Sequence, residues 1–165
     1  IYIYRIHKKG FISKGIGTIR QMFSEDVFNY NLEIYCKNIE IRYGETDQMG
    51  VVYHGSYPAF LEIGRIDWLK QMGFSYAKME KEGYILPVIS LNINFKRSLF
   101  FGEVLKLETS LTAEPKVKIS FEYMLYNDQD LLVGSAATTL AFLDKQSNKP
   151  IACPVNLLKV IQANL

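Results

Sequence analysis

The sequence predicts an α+β fold, an antiparallel sheet wrapped around one long central helix. Three observations carry this: a strand-like alternation ending at Tyr43, one long amphipathic pattern from Tyr57 to Met72, and four strand-like stretches after Gly83. Such a sheet must bury one face, and the long helix is the only large apolar object available to cover it.

The first strand is expected from Ile34 to Tyr43, where Ile39, Ile41 and Tyr43 alternate with Glu40 and Arg42. Gly44 to Gly50, polar and with a glycine at each end, reads as a loop. Tyr57, Phe60, Leu61, Gly64, Trp68, Leu69 and Met72 then recur at spacings of three and four, with Glu62, Arg65, Asp67, Lys70 and Gln71 opposite. Ser56 is placed to cap that helix, Pro58 suits its first turn, and Gly73 ends it. A shorter helix is expected from Ser75 to Glu82. Strands follow at Tyr84 to Phe95, Glu103 to Ala113, Lys116 to Asn127 and Leu131 to Leu143, with a last helix from Val155 to Ala163. Glu114-Pro115 and Asn127 to Asp130 are short enough to join neighbouring strands as hairpins.

The chain has 165 residues, enough for one domain with its own core. Residues 1–30 are set apart as an N-terminal arm or extension, and 31–165 form the folded domain. Arg5, Lys8, Lys9, Lys14 and Arg20 fall within residues 1–21, which hold no acid; the remaining 14 bases against 17 acids put residues 22–165 at −3. Residues 1–21 read as a targeting arm, or as an over-extended start with Met22 as initiator. A mildly acidic body argues against a nucleic-acid partner. Mean hydropathy is +0.00 and no run of about 18 apolar residues occurs, so no stable membrane insertion is expected. Cys36 and Cys153, far apart and outside any Cys-x-x-Cys pattern, read as reduced thiols, and with no signal-peptide pattern at the start the expected location is cytoplasmic.

The informative segment joins the first strand to the long helix: Tyr43-Gly-Glu-Thr-Asp47-Gln-Met-Gly50-Val-Val-Tyr53-His54-Gly-Ser-Tyr57. A loop of the form Asp-x-x-Gly-hydrophobic-hydrophobic-Tyr-His-x-x-Tyr feeding a long helix resembles the signature of the 4-hydroxybenzoyl-CoA thioesterase family of hotdog proteins, closest to its YbgC-type acyl-CoA thioesterases. Phe95-Lys96-Arg97-Ser98-Leu99-Phe100-Phe101-Gly102-Glu103 is similar to a second motif of that family. The resemblance runs from about Ile39 to Ala141 and does not cover the N-terminal arm. The chain departs from the branch that prefers aromatic substrates, which often has Pro after its catalytic Asp where this chain has Gln48-Met49.

The resemblance implies a hotdog fold and hydrolysis of an acyl-CoA, or acyl carrier protein, thioester to free acid and thiol, with no metal or redox cofactor. Asp47 matches the family's catalytic carboxylate, described there as nucleophile or general base, and either role suits an ionised carboxylate facing a thioester. The first turn of a helix offers free N–H groups and a positive dipole end to a developing oxyanion. By resemblance the His54 N–H serves there, with the His54 side chain and the Tyr43 hydroxyl in the same pocket. Lys96 and Arg97, and by hairpin proximity Lys116 and Lys118, are candidates to meet the phosphates of coenzyme A. Tyr53, Tyr57 and Glu62 complete the expected substrate-binding set, Glu62 in a supporting part. Met49, Val51, Val52, Phe60 and Leu61 would form an apolar lining fit for an aliphatic chain.

Two other functions fit the same residues. A hotdog dehydratase would use His54 and Glu62 as an acid and base pair, and a non-catalytic member would bind acyl-CoA as a sensor or scaffold. Long apolar strands leave sheet edges to be paired or covered. Family members do this as dimers with a continuous sheet, and often as tetramers, sharing active sites; a homodimer or homotetramer is expected here.

Overall fold

The computed structural model describes residues 34–164, so the expected N-terminal arm, residues 1–30, lies outside the described residues. Strand β1 (Tyr35–Glu40) is followed by 3-10 turns at Tyr43–Glu45 and His54–Ser56, the long helix α1 (Tyr57–Gln71) and the short helix α2 (Tyr76–Lys81). Strands β2 (Tyr84–Ile85), β3 (Val88–Phe95), β4 (Val104–Leu111), β5 (Lys118–Tyr126), β6 (Leu132–Ala141) and β7 (Leu143–Asp144) come next, and α3 (Val155–Ala163) closes the described chain. Five strands form one antiparallel sheet in the order β1-β4-β5-β6-β3, while β2 and β7 pair separately. This is the expected α+β architecture.

The hairpins β4–β5 and β5–β6 form as their turn residues predict. Asn127 organises the second: its Oδ1 accepts from the Gln129 and Leu131 N–H groups at 3.1 and 2.9 Å. Strict alternation in β4 buries Leu105, Leu107, Thr109 and Leu111 on the inner face. Helix α1 crosses that face over β1 and β4, with Trp68 edge-on to Phe121 at 5.3 Å. Gly64 makes the approach possible, because a β-carbon there would stand 2.7 Å from Leu107 Cδ2 and from Thr109 Oγ1. Each large apolar side chain fully buried in this layer contributes about 1.5–3 kcal/mol.

Three boundaries differ from expectation. The first strand stops at Glu40: Arg42 grips Glu45 through its backbone N–H (2.8 Å), Nε (3.0 Å) and Nη2 (2.6 Å), curling the chain into a 3-10 turn. Burial alone would push the Glu45 carboxyl up, and the Arg42 contacts outweigh it and hold it below its ordinary value. The stretch Tyr84 to Phe95 is two strands, because Pro87 has no N–H for the ladder, and Leu131 to Leu143 divides to match, β7 leaving to pair with β2. Ser56 does not cap α1. It is already in a helical conformation, and its Oγ donates to the Glu45 carbonyl at 3.2 Å instead.

Candidate active site

Residues 46 to 56 form a compact loop tied down at both ends. Thr46 bridges Val52 and Val51 bridges Phe100, while the Tyr53 N–H donates to the Glu45 carbonyl at 2.8 Å. At the tip, the Asp47 N–H donates to the Val51 carbonyl and the Gly50 N–H to the Asp47 carbonyl, each at 2.9 Å, a turn closed by Gly50 at φ +77°. The half-buried Asp47 carboxylate accepts the Met49 N–H on Oδ1 at 2.8 Å. No described residue donates to Oδ2. One oxygen therefore fixes the carboxylate and the other has no partner among the described residues.

The loop then carries the chain to the opening of α1 through the His54–Ser56 turn. No described residue accepts the His54 N–H, as expected for the first amide of a helical turn. The Tyr53 ring lies over this turn, 4.4 Å from the His54 ring by centroids, and a β-carbon at Gly55 would run into it. The sequence at this corner thus permits one close backbone path.

Asp47 and His54 line a single open cleft of about 310 Å³, together with Met49, Val51, Val52 and Tyr57 on one side and Phe95 to Ser98 on the other. Tyr57 is buried there and packs edge-on against Phe95 at 4.9 Å; burial pushes its phenol up to about 12, so it stays neutral. The Lys96 and Arg97 amides both donate to the Val133 carbonyl, at 2.8 and 2.9 Å, which fixes the backbone just past the end of β3. Arg97 spends Nη1 on the Leu132 carbonyl at 2.8 Å, whereas the Lys96 ammonium has no partner among the described residues. The rim therefore presents positive charge beside a carboxylate and the unaccepted His54 amide.

Of the expected site residues, Asp47, His54, Tyr57, Lys96 and Arg97 come together in this cleft. Tyr43 does not: it is 77% exposed and stacks edge-on with Phe101 at 5.8 Å, because the strand ends before reaching it. Tyr53 leans on His54 from outside the cleft. Phe60 and Leu61 belong to the core, leaving Met49, Val51 and Val52 as the apolar lining. Lys116 and Lys118 stand at the other end of the sheet, since β5 begins where β6 ends and Lys118 pairs with Ala141. Glu62 lines a different, apolar cavity of about 170 Å³ between α1, α2 and the sheet, so within one chain His54 and Glu62 do not share a hollow. Phe95 and Ser98 line the cleft without having been singled out; flanking Lys96-Arg97 in the second motif was the available signal. Among the described residues no group of three or more His, Cys, Asp or Glu side chains gathers to hold a metal ion, and no helix is long and apolar enough to cross a membrane.

The family model described as Thioesterase-like superfamily matches residues 41–165. The chain is 41% identical over 120 residues to a Bacillus subtilis protein named "Putative acyl-CoA thioesterase YneP", covering 73% of this chain and 87% of that one. It is 25% identical over 128 residues to the acyl-CoA thioester hydrolase YbgC of Escherichia coli, with 78% and 96% covered. Among solved structures it is similar to a DHNA-CoA thioesterase from Staphylococcus aureus, at TM-score 0.71 and 39% identity over 72% of this chain and 80% of that one. A 4-hydroxybenzoyl-CoA thioesterase, 16% identical and at TM-score 0.70 over 78% of this chain and 98% of that one, shares the fold. A single α1 cradled by an antiparallel sheet, a loop carboxylate at its entrance and these relatives agree with the expectation raised by the loop motif: the chain belongs to the thioesterase-like superfamily and has the hotdog fold.

Proposed function

We propose that this thioesterase hydrolyses acyl-CoA thioesters to free acid and coenzyme A, with the Asp47 carboxylate as nucleophile or general base. The observation that carries the reading is the presence in one cleft of an Asp47 oxygen and a His54 amide, neither of which any described residue engages. The free oxygen attacks the thioester carbonyl or takes a proton from the attacking water. The His54 N–H and the positive end of α1 receive the negative charge that grows on the carbonyl oxygen. With Asp47 as general base, the C–S bond breaks and the proton taken from water passes to the departing thiolate; with Asp47 as nucleophile, the C–S bond breaks to leave an acyl–Asp47 anhydride, the thiolate takes a proton from solvent, and water then cleaves the anhydride to free acid and restores the carboxylate. Lys96 and Arg97 meet the nucleotide phosphates at the rim. The names of the YneP and YbgC relatives support the acyl-CoA part of this reading, and Cys36 and Cys153, both free thiols, suit a cytoplasmic enzyme.

The active form we propose is a homodimer, alone or within a homotetramer, joined by antiparallel pairing of two β3 edges. The two edge strands of the sheet differ: β1 carries Lys37 and Glu40, with Lys37 paired to Asp67 at 3.2 Å, whereas β3 reads Val-Ile-Ser-Leu-Asn-Ile-Asn-Phe with no charge to discourage pairing. Val88, Ile89, Leu91 and Phe95 on it are 43 to 52% exposed.

Thiol release measured over a panel of acyl-CoAs tests the chemistry. Stoichiometric thiol and free acid are expected. Tight binding without thiol release would mean a sensor, and formation of an enoyl thioester would mean a dehydratase.

A further inference from the structure

Glu45 stands outside the Asp47 cleft and yet ties its two halves together. Its carbonyl accepts the Tyr53 N–H at 2.8 Å and the Ser56 hydroxyl at 3.2 Å, so the turn that carries the His54 amide hangs at both ends from one oxygen. The Ser56 N–H closes that turn on the Tyr53 carbonyl at 2.8 Å. In the other direction Glu45 leads to Asp47 through Thr46, whose N–H and hydroxyl both donate to the Tyr43 carbonyl, at 3.1 and 2.8 Å. The Asp47 carboxylate and the His54 N–H therefore share one point of attachment.

That point is itself held. Arg42 closes on the Glu45 carboxylate with its backbone N–H on Oε2 and with Nε and Nη2 on Oε1, so both carboxylate oxygens are engaged. The Arg42 side chain is 80% exposed and that of Glu45 only 14%, which makes the acid the covered partner and the base the outer brace. Neither residue lines the cleft.

We infer that Glu45, clamped by Arg42, is a positioning residue for hydrolysis: it sets the separation between the Asp47 carboxylate and the His54 N–H. The inference rests on the thioesterase reading. A carboxylate that acts at a carbonyl carbon and an amide that receives the carbonyl oxygen must keep a fixed spacing, and a misplacement of about 1 Å can cost roughly 100-fold in rate. Loosening the clamp slows the chemistry and leaves the Phe95 to Ser98 side of the cleft, with Lys96 and Arg97, as it is.

Steady-state thiol release by the full chain tests this over acetyl-, hexanoyl-, palmitoyl- and benzoyl-CoA, read on the one that the wild type turns over fastest. Rates are expressed per binding site, counted by calorimetry with S-hexyl-coenzyme A, a thioether that cannot be hydrolysed, so an unfolded fraction does not count as lost rate. Glu45→Ala is expected to lower kcat roughly 10- to 100-fold, with KM and thioether affinity within about threefold of wild type. Arg42→Ala, which truncates an exposed side chain, is expected to lower kcat roughly three- to tenfold, and Arg42→Lys, which keeps the charge without the fork, to recover part of that loss. Should Glu45→Ala fail to fold, the Arg42 variants decide. A kcat per site within about twofold of wild type in the deciding variant would overturn the inference, as would a loss of thioether affinity as large as the loss of kcat, and the thioesterase reading would stand in either case. Wild-type protein that releases no thiol from any of the four thioesters would overturn both.

Discussion

Two hollows among the described residues lie at opposite ends of β3 and are built differently. The Asp47 cleft is made largely by a loop, sets charged side chains beside the apolar Met49, Val51 and Val52, and is open to water. The other cavity is made by regular helices and strands and lined by core side chains. The contrast shows a division of labour: polar groups are held where the chain is irregular and backbone N–H groups are unclaimed, and apolar volume is held where packing is regular. Change in the first should alter rate without stability, and change in the second should alter stability first.

The largest expected effect that tests this contrast is Phe121→Ala at the floor of the cavity. Phe121 packs on both Trp68 and Tyr123, and losing it should cost about 3–5 kcal/mol of stability, read by denaturant unfolding. A loss well under 1 kcal/mol would mean that the cavity wall is not part of the core. Next is Leu91→Lys on β3, which would bury an unpaired charge in a paired edge. Dimer dissociation should rise at least roughly 100-fold by analytical ultracentrifugation, and an unchanged dimer would locate the interface elsewhere. The smallest is Lys96→Ala at the cleft rim, expected to raise KM roughly two- to fivefold with kcat held. That difference should shrink with added salt; an equal loss of kcat would give Lys96 a part in the chemistry.

The same contrast explains what could be read from the sequence. Helix α1 was legible because its apolar spacing is regular from Tyr57 to Met72 and its stop is marked by Gly73, and β4 and β5 were legible from strict alternation. The cleft was legible from the loop motif, since Asp47, Gly50, His54 and Tyr57 lie close in the chain and local turns bring them together. The cavity was not. It is assembled from residues as distant as Glu62 and Leu157, each of which looks like an ordinary core or surface position on its own element. Glu62, on α1, lines that hollow and not the cleft at the α1 entrance. Tyr43 fell outside the cleft because a clamp of three hydrogen bonds between Arg42 and Glu45, not the alternation that precedes it, decides where the strand ends. Ser56 looked like a cap, but a 3-10 turn already occupied that place.

In the proposed reaction the free oxygen of Asp47, whose carboxylate is fixed by the Met49 N–H on Oδ1, carries hydrolysis. Asp47→Asn keeps the shape of that side chain, so acyl-CoA affinity by calorimetry and single-turnover thiol release can be measured on the same protein. The account predicts affinity within a few-fold of wild type and a rate lower by roughly 10²–10⁴. Thiol release at the wild-type rate by a folded, ligand-binding Asp47→Asn protein would contradict it.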